Sequence, residues 1–171
     1  MGLNNHAAAL VMLTSPGMHL VHQDQMEGYK KKIPVQLIRQ AAEKENHELA
    51  SLYRKLFALQ KLAVFQEGHI EWLHLNASSF SHCFGYHRFT ENEHAIVIAN
   101  FSVTGIDIAF SHPILLNLGY DDICLLSTID GDKKTDTHLA ADTMHILLAP
   151  HEGVVITCRK HDIVNPMHAD R

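Results

Sequence analysis

With 171 residues, 46% of them hydrophobic and 19% charged, the chain has the make-up of one globular domain, or of a domain plus a fragment, and not of a disordered segment. A formal charge of −5 with neutral histidines leaves no basic footprint for nucleic acid. Three cysteines, Cys83, Cys124 and Cys158, are odd in number and lack C-x-x-C spacing, which argues for reduced core thiols and against a disulfide framework or zinc ribbon.

In chain order, Leu3–Leu13 is alanine-rich and apolar on nearly all sides. It reads as a short buried helix stopped by Pro16-Gly17. Its apolar run is too short to cross a bilayer, and no basic segment precedes it to make a secretory signal. Met18–His22 (MHLVH) reads as a short strand. Gln23–Lys32 is a polar loop containing Gly28, and its lysine run Lys30–Lys32 is a solvated face. Pro34 opposes a helix in Ile33–Ile38.

The strongest helical signal follows, over Glu45–Ala63. Leu49, Leu52, Tyr53, Leu56, Phe57, Leu59 and Leu62 recur at three- and four-residue spacings and share one face. Asn46 is placed to cap its start, Glu48 complements the first-turn dipole, and Lys61 lies near its end. Gly68 marks the exit.

Beyond Gly68 the segments become short and β-branched or aromatic. They are Ile70–Leu75, His82–Phe89, His94–Phe101, Ile106–Phe110, Asp122–Thr128, Thr143–Ala149 and Gly153–Arg159, mostly divided by Gly, Asn, Asp or Pro. This spacing predicts an antiparallel β-sandwich. RFTENEHAI and LAPHEGVV read as hairpin connections, Asp130–Asp142 as a polar loop, and the tail from His161 as frayed. The chain therefore divides near residue 68 into 1–68, helical with one strand, and 69–171, all β.

This order resembles the C-terminal part of the α-amylase family, glycoside hydrolase family 13. The residues that carry the resemblance are SPGMHLVHQDQMEG, then IPVQLIR, then HELASLYRKLFALQKLAVFQEG. They match a Pro-Gly turn, the eighth strand of a (β/α)₈ barrel, its polar loop and the last barrel helix. An antiparallel C-terminal domain follows in the family. The implied fold class is mainly β with N-terminal helices, a β-sandwich preceded by a TIM-barrel remnant. The family cleaves or transfers α-glucosidic bonds with a retaining carboxylate pair. Those carboxylates and a third aspartate sit on earlier barrel strands, so the resemblance implies no catalytic residue in this chain. Asn4–His6 superficially matches an Asn-His-Asp motif, but Ala7 stands where the aspartate belongs.

The resemblance places His22, Gln23, Gln25 and Glu27 at the active-site end of strand eight, where they would help bind sugar in an intact parent. In this chain alone, a loop that satisfies neighbouring backbone is the preferred reading. The fifteen histidines raise a metal question, with His19 and His22, or His82, Cys83 and His87, as candidate groups. No H-E-x-x-H or C-x-x-C supports them, so structural histidines are preferred and no metal or other cofactor is expected. Trp72, Tyr86 and Tyr120 could stack on sugars but more often fill cores; Trp72 is expected between helix and sheet. Asp121-Asp122 is given no catalytic role.

The expected partners are the rest of the barrel and, in the parent, an α-glucan or oligosaccharide; nucleic acid and membrane are not expected. The expected location is cytoplasmic. The alternative functions are a carbohydrate-binding module or a stand-alone interaction domain. The long helix is expected to dock on the β unit through Leu52, Leu56 and Leu59. Residues before about Lys44 are expected to be disordered or ordered by a homo-oligomeric contact through the barrel remnant.

Overall fold

The computed structural model of the chain describes residues 5–22, 24–31, 42–77, 82–117, 123–129, 137–140 and 143–159. Helix α1 is Asn5–Thr14, α2 is His47–Leu59 and α3 is Ala63–Gln66. The strands are β1 His69–Trp72, β2 Asn76–Ala77, β3 Cys83–Phe89, β4 Glu93–Asn100, β5 Ile106–Ser111, β6 Ile123–Ser127, β7 Thr137–Ala140, β8 Thr143–Leu148 and β9 Gly153–Arg159. They form two antiparallel sheets, one in the order β1-β3-β4-β9-β6 and the other β2-β5-β8-β7.

Residue alternation explains the layering. In β4 and β9 the apolar run is continuous, because both faces are covered. Ile96, Ile98, Val154 and Ile156 meet Ile106, Ile108, Phe110, Met144, Ile146 and Leu148 of the second sheet. Ala95, Val97 and Val155 point the other way, into the helices. β5 and β8 alternate buried and exposed residues, as a sheet with one wet face must. The layers are thus helices, five-stranded sheet, four-stranded sheet.

Helix α2 docks as its periodicity requires. Leu49, Leu52, Tyr53, Leu56 and Leu59 are buried in one apolar cluster with Leu10 and Leu13 of α1 and with Tyr86, Val97 and Val155 of the sheet, while Asn46 Oδ1 accepts a hydrogen bond from Leu49 N at 3.1 Å and caps the helix. The helix stops at Leu59, short of Ala63. Lys61 N and Leu62 N donate to Ala58 O and Leu59 O, so the last turn tightens to i→i+3 bonds before α3 begins.

Helix α1 has an internal partner, against the expectation of disorder or of a homo-oligomeric contact before about Lys44. Ala7, Ala9, Leu10 and Leu13 are buried between α2 and the five-stranded sheet. Two strand residues hold the end of α1. Tyr86 Oη lies 2.6 Å from Thr14 Oγ1, which itself donates to Leu10 O. The buried Arg88 guanidinium donates to Thr14 O and Phe65 O, carbonyls at the C-terminal ends of α1 and α3, where a cation complements the helix dipole. Gly153 allows the close approach: a Cβ there would lie 2.5 Å from Leu10 Cδ2.

Three further readings are corrected. Met18–His22 forms no strand, because no neighbouring strand among the described residues supplies a ladder. It keeps a strand's alternation: Met18, Leu20 and His22 are exposed, His19 and Val21 half-buried. The expected loop 130–142 contains β7, paired to β8 from Thr137 to Ala140. LAPHEGVV is a corner and not a hairpin, since β8 and β9 belong to different sheets. By contrast RFTENEHAI is the β3–β4 hairpin, closed by Thr90 N donating to Glu93 O and Glu93 N donating to Thr90 Oγ1.

Candidate functional site

The loop after Met18–His22 is spent on its own structure. Gln25 Oε1 accepts from His22 N at 3.2 Å, and Gln25 Nε2 donates to Tyr53 Oη on α2 at 2.6 Å. Burial raises the Tyr53 phenol above its ordinary pKa, with the Gln25 bond opposing. The Glu27 carbonyl accepts from Asn46 N, tying the loop to the start of α2. Asp24 and Gly28 both take positive φ, which compacts the turn. His22, Gln25 and Glu27 therefore lie together in one loop that docks α2, while Gln23 lies outside the described residues.

The candidate histidine groupings, set aside above in favour of structural histidines, do not assemble. His19 Nε2 bonds Ser15 O at 2.8 Å and His19 Nδ1 bonds Gln60 Nε2 at 2.8 Å, so both ring nitrogens are engaged locally. His82 is exposed, whereas Cys83 faces the sandwich core. Burial pushes the Cys83 thiol up to about 11, which keeps it protonated and unreactive at neutral pH.

His87 instead joins a different set at one end of the sandwich. Pairing of β1 with β3 puts Glu71 directly opposite His87, and the β3–β4 hairpin brings up His94. The chain leaving β5 delivers His112 from the other sheet. Glu71 Oε1 lies 2.7 Å from His87 Nδ1 and 3.3 Å from His112 Nε2, and His87 Nε2 lies 3.0 Å from His94 Nδ1. The His87 ring also stacks on Phe89 at 4.9 Å and on His94 at 5.2 Å.

The charge states follow from burial. Burial lowers the His87 pKa below its usual value despite the attraction of Glu71, so the ring is neutral at neutral pH. Hydrogen bonds from His87, then from His112, hold the Glu71 carboxyl below the usual carboxylate range. The 2.7 Å contact is thus a neutral N–H donating to a carboxylate. The hairpin register alone would have hinted at His87 with His94; Glu71 and His112 meet them only through sheet pairing and the approach of the second sheet.

The aromatic candidates separate. Tyr86 is buried in the helix seam, and Tyr120 and Asp121-Asp122 lie outside the described residues. Trp72 is 70% exposed instead of packed between helix and sheet, because it stands on the edge strand β1. Its ring meets Phe84 and Tyr86 edge-on at 6.1 and 5.9 Å, and Phe84 stacks on Phe101 at 5.4 Å.

No family model and no curated protein matches the chain. Solved structures do match, and they show its fold. A noncanonic maltogenic α-amylase from Thermotoga neapolitana aligns over 94% of this chain and 37% of its own, with TM-score 0.67 and 14% identity. An α-amylase from H. orenii aligns over 92% of this chain and 36% of its own, with TM-score 0.66 and 16% identity. A cyclomaltodextrinase aligns over 88% and 25%, with TM-score 0.64 and 16% identity. The chain thus has the fold of one part of α-amylase-family enzymes, and it spans between a quarter and just over a third of their length.

Proposed function

We propose that this chain serves as the C-terminal, non-catalytic part of an α-amylase-family enzyme acting on α-glucosidic bonds, by hydrolysis or glucanotransfer. The observation that supports it most is the continuous seam of α1, α2, Tyr86, Arg88 and the outer face of the five-stranded sheet. In this reading the β unit is a rigid footing for the last barrel helix. The extended Met18–His22 segment, with Met18 100% and Leu20 83% exposed, is the surface that meets the rest of the barrel. Burial of such side chains is worth about 1.5–3 kcal/mol each.

A second reading rests on Trp72. Its exposed ring, braced by Phe84, is a face on which a sugar ring could stack, as in a carbohydrate-binding module. One experiment separates the two. The purified chain is assayed on starch and an aryl α-glucoside and then run through gels containing amylose. The structural role predicts no turnover and no retardation. Turnover abolished by replacing an acid in this chain would overturn it, and retardation lost in Trp72→Ala would establish the second reading in its place.

A further inference from the structure

We propose that Glu71, His87 and His112 form a binding site for a zinc-class divalent cation that joins the two sheets. A carboxylate oxygen and two imidazole nitrogens are the donor set such ions take, and these three ligand atoms all lie within 4.8 Å of one another. Around an ion with bonds of about 2.0–2.1 Å, tetrahedral ligands stand roughly 3.3–3.5 Å apart. The Glu71–His112 separation of 3.3 Å already fits. The 2.7 Å between Glu71 and His87 must widen, which the half-exposed Glu71 side chain on an edge strand can do by rotating. The same exposure supplies the entry path and leaves a fourth position to water.

The surrounding hydrogen bonds favour one ligand and oppose the other. A metal-bound imidazole donates its remaining N–H to a neighbour. When His87 Nδ1 binds the ion, its proton resides on Nε2, where His94 Nδ1 accepts it at 3.0 Å once His94 carries its own proton on Nε2. His94 is thus a positioning residue. For His112 the proton moves to Nδ1, which in the metal-free molecule accepts from Ile114 N at 3.3 Å. That long bond must open. The site is therefore one of moderate affinity, and its loading has a local signature at the Ile114 amide. Coordination would pin the edge strand β1 to the segment that leaves β5.

The test uses the full chain, stripped with a chelator and titrated with zinc chloride alone. Calorimetry is expected to show a site of one equivalent that involves the cluster. Thermal unfolding is expected to show a midpoint that rises with zinc and saturates, and the Ile114 amide resonance should move. Glu71→Gln and His112→Ala alter exposed or half-buried side chains, and each should weaken zinc binding at least about tenfold. Their metal-free midpoints show that they are folded. The absence of zinc binding at millimolar zinc would overturn the proposal. So would binding of equal strength in the wild type and both variants, which would place the ion on other histidines.

Discussion

Replacing Leu56 by alanine is expected to destabilise the chain by about 2–5 kcal/mol. Leu56 is fully buried in the middle of α2, among the apolar side chains that hold the helices against the five-stranded sheet. Truncation removes the transfer free energy of three carbons and leaves a cavity. α1, α2 and the sheet all pack on that cluster, and the buried Tyr86 and Arg88 fix the spacing between layers, so the seam has little freedom to collapse. The check is a urea titration. The midpoint should fall with the slope unchanged, since one cooperative unit still unfolds. An unchanged midpoint would mean that α2 does not pack through this face.

The second large effect is expected at Asn100, which is fully buried at the end of β4. Its Nδ2 donates to Thr104 O at 2.9 Å and Ala149 O at 2.8 Å, while Oδ1 accepts from Ser102 N at 2.8 Å. One side chain thus stitches the β4–β5 connection to the corner between β8 and β9. In the same corner Ala149 N donates to Glu152 Oε2, and Asn100 N donates to Glu152 O. Asn100→Ala leaves two carbonyls and one amide without that partner. At about 1–3 kcal/mol for a fully buried orphan and less where water reaches, a loss of roughly 2–4 kcal/mol follows. Asn100→Asp should not restore stability, because it presents an oxygen to the two carbonyls. Calorimetric unfolding of both variants checks this; an aspartate variant as stable as the wild type would show that the donors are dispensable.

Local signals read well where one rule dominates. Gly153–Arg159 carries a continuous, β-branched apolar run and the Glu45–Ala63 region a helical periodicity, and both became the expected element types because nothing in the tertiary structure competes with the pattern. The resemblance to α-amylases rested on the order of such elements, and the fold agrees with it. Errors arose where the answer depends on what lies across space. Pro150 and Gly153 mark a change of direction, but only the sheet to which each strand belongs distinguishes a hairpin from a corner. Thr137–Ala140 is a strand because β8 offers an edge, not because its own residues demand it. Met18–His22 has a strand's composition without a strand's neighbours. Trp72 is apolar by composition yet exposed, because it falls on an edge strand. The Glu71, His87, His94 and His112 cluster draws on three strands and a connection between sheets, so no spacing along the chain announces it.

The central claim is that the helices before residue 68 and the sandwich after it fold as one unit, the arrangement this chain shares with part of the α-amylase fold. Native-state hydrogen exchange on a sample shown to be monomeric by light scattering tests it most directly. The account predicts that interior amides of α1 and α2 exchange at the same free energy of opening as those of β4 and β9, with all four segments released together on global unfolding. Fast exchange in α1 and α2 while β4 and β9 stay protected would contradict it.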